Sequence, residues 1–177
     1  ARVVGYRASG ATSLDLGDFP AARAYLEQGL ALYDPTQREL YAELTSINTL
    51  VALLGYLSPT LASCGYLDQA RSRCDEALAE AREVSHAPTL AHILWFAWDV
   101  GWCARSEPLE LLRFADELFA LSTKHKLAPW HKTAIVARGW CLAALGRAEQ
   151  GISLLTNMLS DPHAANPNPS VLLAESY

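Results

Sequence analysis

The chain has 177 residues, enough for one domain with a sizeable core. Hydrophobic residues make up 51% and charged residues 19%, a globular composition that excludes a disordered chain. The net charge of −5, with scattered Lys and Arg and no run of five like charges, argues against a nucleic-acid or anionic-membrane surface.

In chain order the apolar spacing predicts helices over 2–16, 20–34, 37–63, 68–85, 88–104, 108–125, 129–145, 148–160 and 169–177. No segment alternates apolar and polar residues over a strand's length, so an all-α fold follows. Leu16-Gly17-Asp18-Phe19-Pro20-Ala21-Ala22-Arg23 opens the first repeat of a pattern. The same arrangement returns at Cys64-Gly65-Tyr66-Leu67-Asp68-Gln69-Ala70-Arg71 and at Leu145-Gly146-Arg147-Ala148-Glu149-Gln150-Gly151-Ile152. Each has an apolar residue, a Gly and, five residues on, a small residue. A degenerate copy has Ser106-Glu107-Pro108 where the Gly should be.

The physical reading is helix, tight turn, helix. Gly supplies the left-handed residue that ends the first helix. Pro20, Asp68 and Pro108 are start signals for the second. Ala22, Ala70 and Gly151 allow close approach. Gly10 and Gly139 each precede a turn Gly by seven residues, a shared register. The turn positions 17, 65, 106 and 146 are 48, 41 and 40 residues apart. The extra length of the first interval is expected to make 37–63 the longest helix, kinked or divided at Pro59. The repeats run over about 1–35, 37–85, 88–126 and 129–160 within a single domain 1–177. The segment Asp161 to Pro169 reads as a loop, and 169–177 as the opening helix of a further repeat, so the chain is expected to be a fragment of a larger protein.

No apolar stretch reaches the roughly 18 residues that a membrane span needs. The N-terminus has no signal-peptide layout. Cys64, Cys74, Cys103 and Cys141 show no CxxC spacing and lie in apolar helical patterns, which favours reduced, buried thiols and a cytoplasmic location. The histidines at 86, 92, 125, 131 and 163 lack HExxH or i,i+4 pairing, so no metal is expected. His125 and His131 flank a turn with Trp130 and Lys124 and read as a surface loop. Asp116-Glu117 and Asp75-Glu76 are sequence neighbours on different sides of a helix, hence solvated faces rather than an acid/base pair. No serine has a GxSxG context. No catalytic residue and no cofactor are therefore assigned.

The stretch Trp95-Phe96-Ala97-Trp98-Asp99-Val100-Gly101-Trp102 is aromatic on all sides. Trp95, Trp98 and Trp102 form one stripe at i, i+3, i+7, with Phe96 off it. Burial on two sides is the plain reading. The alternative is that part of the cluster lines a pocket, with Asp99 a half-buried carboxylate facing a ligand or an Arg.

Tyr6-x2-Ser9-Gly10-x2-Ser13…Ala22-x3-Leu26…Pro35 resembles the tetratricopeptide pattern W-x2-L-G-x2-Y…A-x3-F…P in its aromatic, Gly, Ala and Pro, though not in its Leu and Tyr slots. Ile135-x2-Arg138-Gly139-x2-Leu142…Gly151-x3-Leu155…Pro162 follows the same frame. The resemblance implies a right-handed solenoid of antiparallel helix pairs, with repeats of about 40 residues instead of the usual 34 or so. More narrowly, Tyr25 to Pro35, Gly65 to Ala70, Glu76 to His86 and Arg138 to Gly146 resemble the C-terminal repeats of large bacterial signalling proteins. In these, an adenylate or guanylate cyclase domain or a LuxR-type DNA-binding domain is joined to a signal-transduction ATPase. That implies a nucleotide cyclase or ATPase-type regulator as parent. This chain itself has no cyclase metal-binding aspartate pair and no GxxxxGK[ST] loop. Carried over by register, the family's concave surface would fall on Arg7, Phe96, Val100, Val136 and Trp140, with Asp99 beside them. The expected function is a non-catalytic protein-interaction or effector-sensing module, binding a protein or peptide segment, another domain of the same protein, or an apolar effector. The alternatives are a self-association module forming a homodimer and, least, a helical enzyme or metal site.

Overall fold

The computed structural model describes residues 2–159. The expected loop at 161–169 and helix at 169–177 lie outside the described residues. Among those described there are nine α-helices, one 3-10 turn and no strand. The helices are α1 Arg2–Asp15, α2 Phe19–Ala31, α3 Arg38–Leu44, α4 Thr49–Ser63, α5 Leu67–Val84, α6 Ala87–Cys103, α7 Pro108–His125, α8 Ala128–Ala144 and α9 Ala148–Leu159, with the 3-10 turn at Pro35–Gln37. Packing divides the chain into two compact units, one up to Ala104 and one from Arg105. In the first, α1 packs on α2 and α4, α2 on α4, and α4 on α5 and α6, which also touch each other. In the second, α8 packs on both α7 and α9.

The glycine turns share one geometry. Gly17, Gly65 and Gly146 have φ of 76°, 84° and 79°. In each, the Gly amide bonds to the carbonyl three residues back and the next amide to the carbonyl five back: Asp18 to Ser13, Tyr66 to Leu61 and Arg147 to Leu142, all at 2.9 Å. This is the paired-bond helix stop that needs a left-handed residue. At the degenerate turn that residue is Arg105, with φ 53°, and not Ser106. The turn residues are therefore 17, 65, 105 and 146, with intervals of 48, 40 and 41. The shared seven-residue register has a packing cause. A Cβ on Gly10 would lie 2.5 Å from Leu26 Cγ, and one on Gly139 would lie 2.8 Å from Leu155 Cγ. In both hairpins a glycine on the first helix receives a leucine from the second, four residues past the small residue.

The expected helix 37–63 is corrected. It is not the longest, and it is not divided at Pro59. The chain breaks at 45–48, and the pieces on either side meet at 85°. Local side-chain bonds compete with the helix there. Thr45 is extended, and its hydroxyl lies 3.0 Å from the Tyr41 carbonyl and 2.8 Å from that of Ile47. Asn48 then starts α4: its Oδ1 accepts the Val51 amide at 3.1 Å. Pro59 is accommodated within α4, buried, one turn after Gly55. On either side of the Gly55 carbonyl, for which proline offers no amide, the Ser58 and Thr60 hydroxyls donate to the Leu54 and Tyr56 carbonyls at 2.7 Å. No single helix among the described residues is long and apolar enough to cross a membrane.

Candidate functional site

The first unit gathers an aromatic cluster from two helices, α4 and α6, with an arginine from α1 near it. Tyr56 on α4 stands edge-on to His92 and Phe96 on α6, with centroids 5.1 and 5.2 Å away, and His92 and Phe96 are 4.8 Å apart. Such edge-to-face contacts match ring edges to ring faces. His92 and Phe96 lie one turn apart on one side of α6, and Asp99 and Cys103 continue that stripe. Arg7 reaches the cluster from α1, where its charge acts on both Tyr56 and His92. Its Nε is buried and has no hydrogen-bond partner among the described residues.

Burial and charge keep the rings of the site neutral. Burial, and secondly the Arg7 charge, pushes the His92 imidazolium down to about 4, so the ring is uncharged at neutral pH. Burial raises the Tyr56 phenol, with Arg7 opposing it. Asp99 is half-buried, and burial pushes its carboxyl up to about 6. Asp99 in turn, after burial itself and Asp75, helps to push the Cys74 thiol on α5 up to about 12. The result is a largely buried aromatic cluster, His92 6% and Phe96 8% exposed and Tyr56 half-buried, with one guanidinium at its side and one carboxyl along the α6 stripe. It presents no nucleophile activated by a base.

The residues singled out in the sequence separate into distinct places. The Arg7 charge acts on Tyr56, which packs on Phe96, and Asp99 lies on the Phe96 stripe. Val100 does not line this surface: it is 2% exposed and packs in the core with Leu57, Leu61 and Ala70. Val136 and Trp140 are on α8 of the second unit, Val136 buried and Trp140 half-buried. Tyr56 and His92 were missed. Tyr56 precedes Gly65 by nine residues, as Phe96 precedes Arg105; with Ser106 taken as the turn, that equivalence is lost.

The tryptophan stripe is a separate feature of α6. Trp95 stacks on Trp98 at 5.3 Å and 12°, and Trp98 on Trp102 at 6.3 Å and 5°. Trp98 is 2% exposed, with the other two half-buried. The four cysteines are thiols, Cys74 and Cys141 buried, but Cys103 is exposed, against the expectation of burial. His131 lies 3.2 Å from the Thr123 hydroxyl and packs on Phe119 at 4.8 Å, while His125 is exposed. Asp116 accepts a 2.7 Å bond from Arg138, which also covers the Phe119 ring at 4.5 Å. No group of three His, Cys, Asp or Glu among the described residues could hold a metal ion.

No protein-family model matches the chain, and neither a curated protein nor a solved structure matches it.

Proposed function

We propose that the chain is a non-catalytic binding module of a larger bacterial signalling protein, and that it reads a protein segment through the surface shared by α1, α4 and α6. The observation that carries this is the pairing of a neutral aromatic cluster with a guanidinium whose Nε has no partner. Aromatic rings and Arg are the side chains that most often dominate interface energetics. An apolar helix placing one carboxylate beside Arg7 complements both parts.

The packing order supports a tetratricopeptide-like solenoid as the architecture. First helices α1, α4 and α6 contact one another in sequence, and second helices α2 and α5 pack against the first helix that follows each of them. The conserved stop geometry at Gly17, Gly65 and Gly146 supports the same reading. A cyclase- or ATPase-type parent and a cytoplasmic location belong to this proposal. The test is selection of helix-forming peptides from a display library on the immobilised chain. Peptides with an apolar stripe and one Asp or Glu are expected, with affinity falling about tenfold or more in Arg7→Ala and in Tyr56→Ala. Peptides that bind both variants as tightly as the parent chain would remove the reading.

Self-association is the second reading. Leu40 and Leu44, one turn apart on α3, are 47% and 52% exposed. Light scattering decides between the two: a mass near twice 19.3 kDa that reverts in Leu40→Ser with Leu44→Ser favours the dimer.

A further inference from the structure

The extra residues of the first interval do not lengthen a helix; they enclose a space. Between α3, the 45–48 break, the start of α4 and the α5–α6 turn lies a cavity of about 500 Å³. That is inside the range of about 300–1,000 Å³ typical of small-molecule sites. We propose that this cavity binds a small, uncharged, planar and largely apolar organic molecule carrying one carbonyl, hydroxyl or amine. This goes beyond the aromatic surface of α1, α4 and α6, because it involves other residues of the first unit.

The walls define the chemistry. Tyr33, Tyr41, Ile47 and Val84 make most of the lining apolar. Tyr33 and Tyr41 face each other at 5.4 Å and 33°, an aromatic wall suited to a flat ring. Tyr41 is 3% exposed, which anchors α3 and keeps the wall in place. The one cation of the lining, Arg38, is paired with Glu80 on α5. A carboxylate or phosphate ligand would thus meet no unpaired positive side chain, and its desolvation would go uncompensated.

A few polar atoms remain to orient a ligand. The Thr89 hydroxyl is engaged, accepting the Asn48 amide at 3.1 Å and lying 2.8 Å from His86 Nδ1. That leaves Nε2 as the second hydrogen-bonding atom of the His86 ring. Asn48 Oδ1 is occupied by Val51, which leaves its Nδ2 as a donor. An apolar pocket with a small number of placed polar groups is the usual composition of such sites. The independent support is the repeat spacing. The first interval is 48 residues against 40 and 41, and the excess falls in the segment that walls the cavity.

Phenylnaphthylamine, an uncharged planar fluorophore with one N–H, is the probe for titration of the whole chain. A saturable, one-to-one fluorescence rise is expected, with clearly weaker binding of the anionic anilinonaphthalene sulfonate. Ala42→Trp and Ser46→Trp each fill the cavity from an exposed backbone position on a different wall, so neither disturbs the core. With helical circular dichroism unchanged, either should weaken the probe about tenfold or more. Leu16→Ser, at a leucine 78% exposed and outside the lining, should not change the titration. Absence of saturation, tighter binding of the anionic dye, equal binding by both folded Trp variants, or loss of binding in Leu16→Ser would each overturn the proposal.

Discussion

The hairpins that turn at Gly17 and Gly146 and the stretch from Trp98 to Arg105 occupy the same register with opposite chemistry. In the hairpins, a glycine seven residues before the turn accepts a leucine from the second helix, and a glycine makes the left-handed stop. In the other stretch, Trp98 stands seven residues before the turn and Arg105 makes the stop. The period survives, at 40 and 41 residues on either side, while both small residues are gone. The boundary between the two compact units falls at this same Arg105. Spacing and chemistry are thus separable in this chain: helix lengths preserve the repeat, while the hairpin glycines serve either close helix approach, as at Gly10 and Gly139, or the left-handed stop, as at Gly17 and Gly146.

The largest effect should come from the residue that departs most from the register. Trp98 is almost fully buried and stacked on both sides, so Trp98→Ala is expected to cost about 4 kcal/mol in urea unfolding. A cost below about 1 kcal/mol would mean that the aromatic stripe is not part of the core. In the hairpin the reverse change should be nearly as severe. A Cβ on Gly151 would lie 2.4 Å from the Gly139 carbonyl oxygen and 2.9 Å from the Ala143 amide, both backbone atoms that cannot rotate away. Gly151→Ala should therefore cost about 3 kcal/mol by the same measurement. If it is tolerated, close helix approach is not what preserves glycine in α9.

Asp99 sharpens the comparison through pH. Its folded-state carboxyl is raised to about 6 from an ordinary 3.8, so the folded chain holds this proton more tightly than the unfolded one. Its contribution is fully present below pH 3.8 and is lost as pH rises through 6. Asp99→Asn should then stabilise the chain by about 2 kcal/mol at pH 8, the gain shrinking to nothing by about pH 4. His92 acts in the opposite sense. Its folded value near 4 lies below an ordinary 6.5, so its contribution is present above 6.5 and is lost as pH falls toward 4. The two slopes oppose each other between about pH 4 and 6 in the parent chain. Asp99→Asn should expose the His92 slope there as a loss of stability on acidification. A variant whose profile stays parallel to the parent's would show that the Asp99 carboxyl is not raised by burial as described.

Helix positions were legible because apolar spacing, Gly stops and Pro starts agree at most ends; α7 was read at the bounds it has, 108–125. The break at 45–48 was not. The strongest helix breaker in that segment is Pro59, and the sequence does not reveal that Thr45 and Asn48 would bond their own backbone instead. Asn48 and Thr89 are 41 residues apart, and their hydrogen bond exists only once α4 and α6 are packed. The aromatic cluster was only partly legible: register pointed to Arg7 and Phe96, but one misplaced turn residue hid Tyr56, the ring that packs on Phe96 and feels the Arg7 charge. Val100 was mistaken for surface because α6 is apolar on nearly every side, so periodicity does not separate its buried faces.

Arg105 offers the smallest effect and the most direct comparison. Its φ of 53° is one that glycine adopts freely and that strains a residue with a Cβ by about 1–2 kcal/mol. Replacing it by Gly relieves that strain but gives the unfolded chain more freedom, which offsets part of the gain. Arg105→Gly should therefore stabilise by about 1 kcal/mol. The Arg105 side chain is exposed, so its loss should not cancel the gain. Gly146→Ala, at φ 79°, should lose about as much as Arg105→Gly gains. Lys126→Gly, at φ 55° after α7, should behave like Arg105→Gly, since it shares the backbone state but not the repeat position. If Lys126→Gly stabilises and Arg105→Gly does not, the arginine side chain contributes something at this turn that a glycine hairpin lacks. The repeat would then have exchanged its stop residue for a reason other than tolerance.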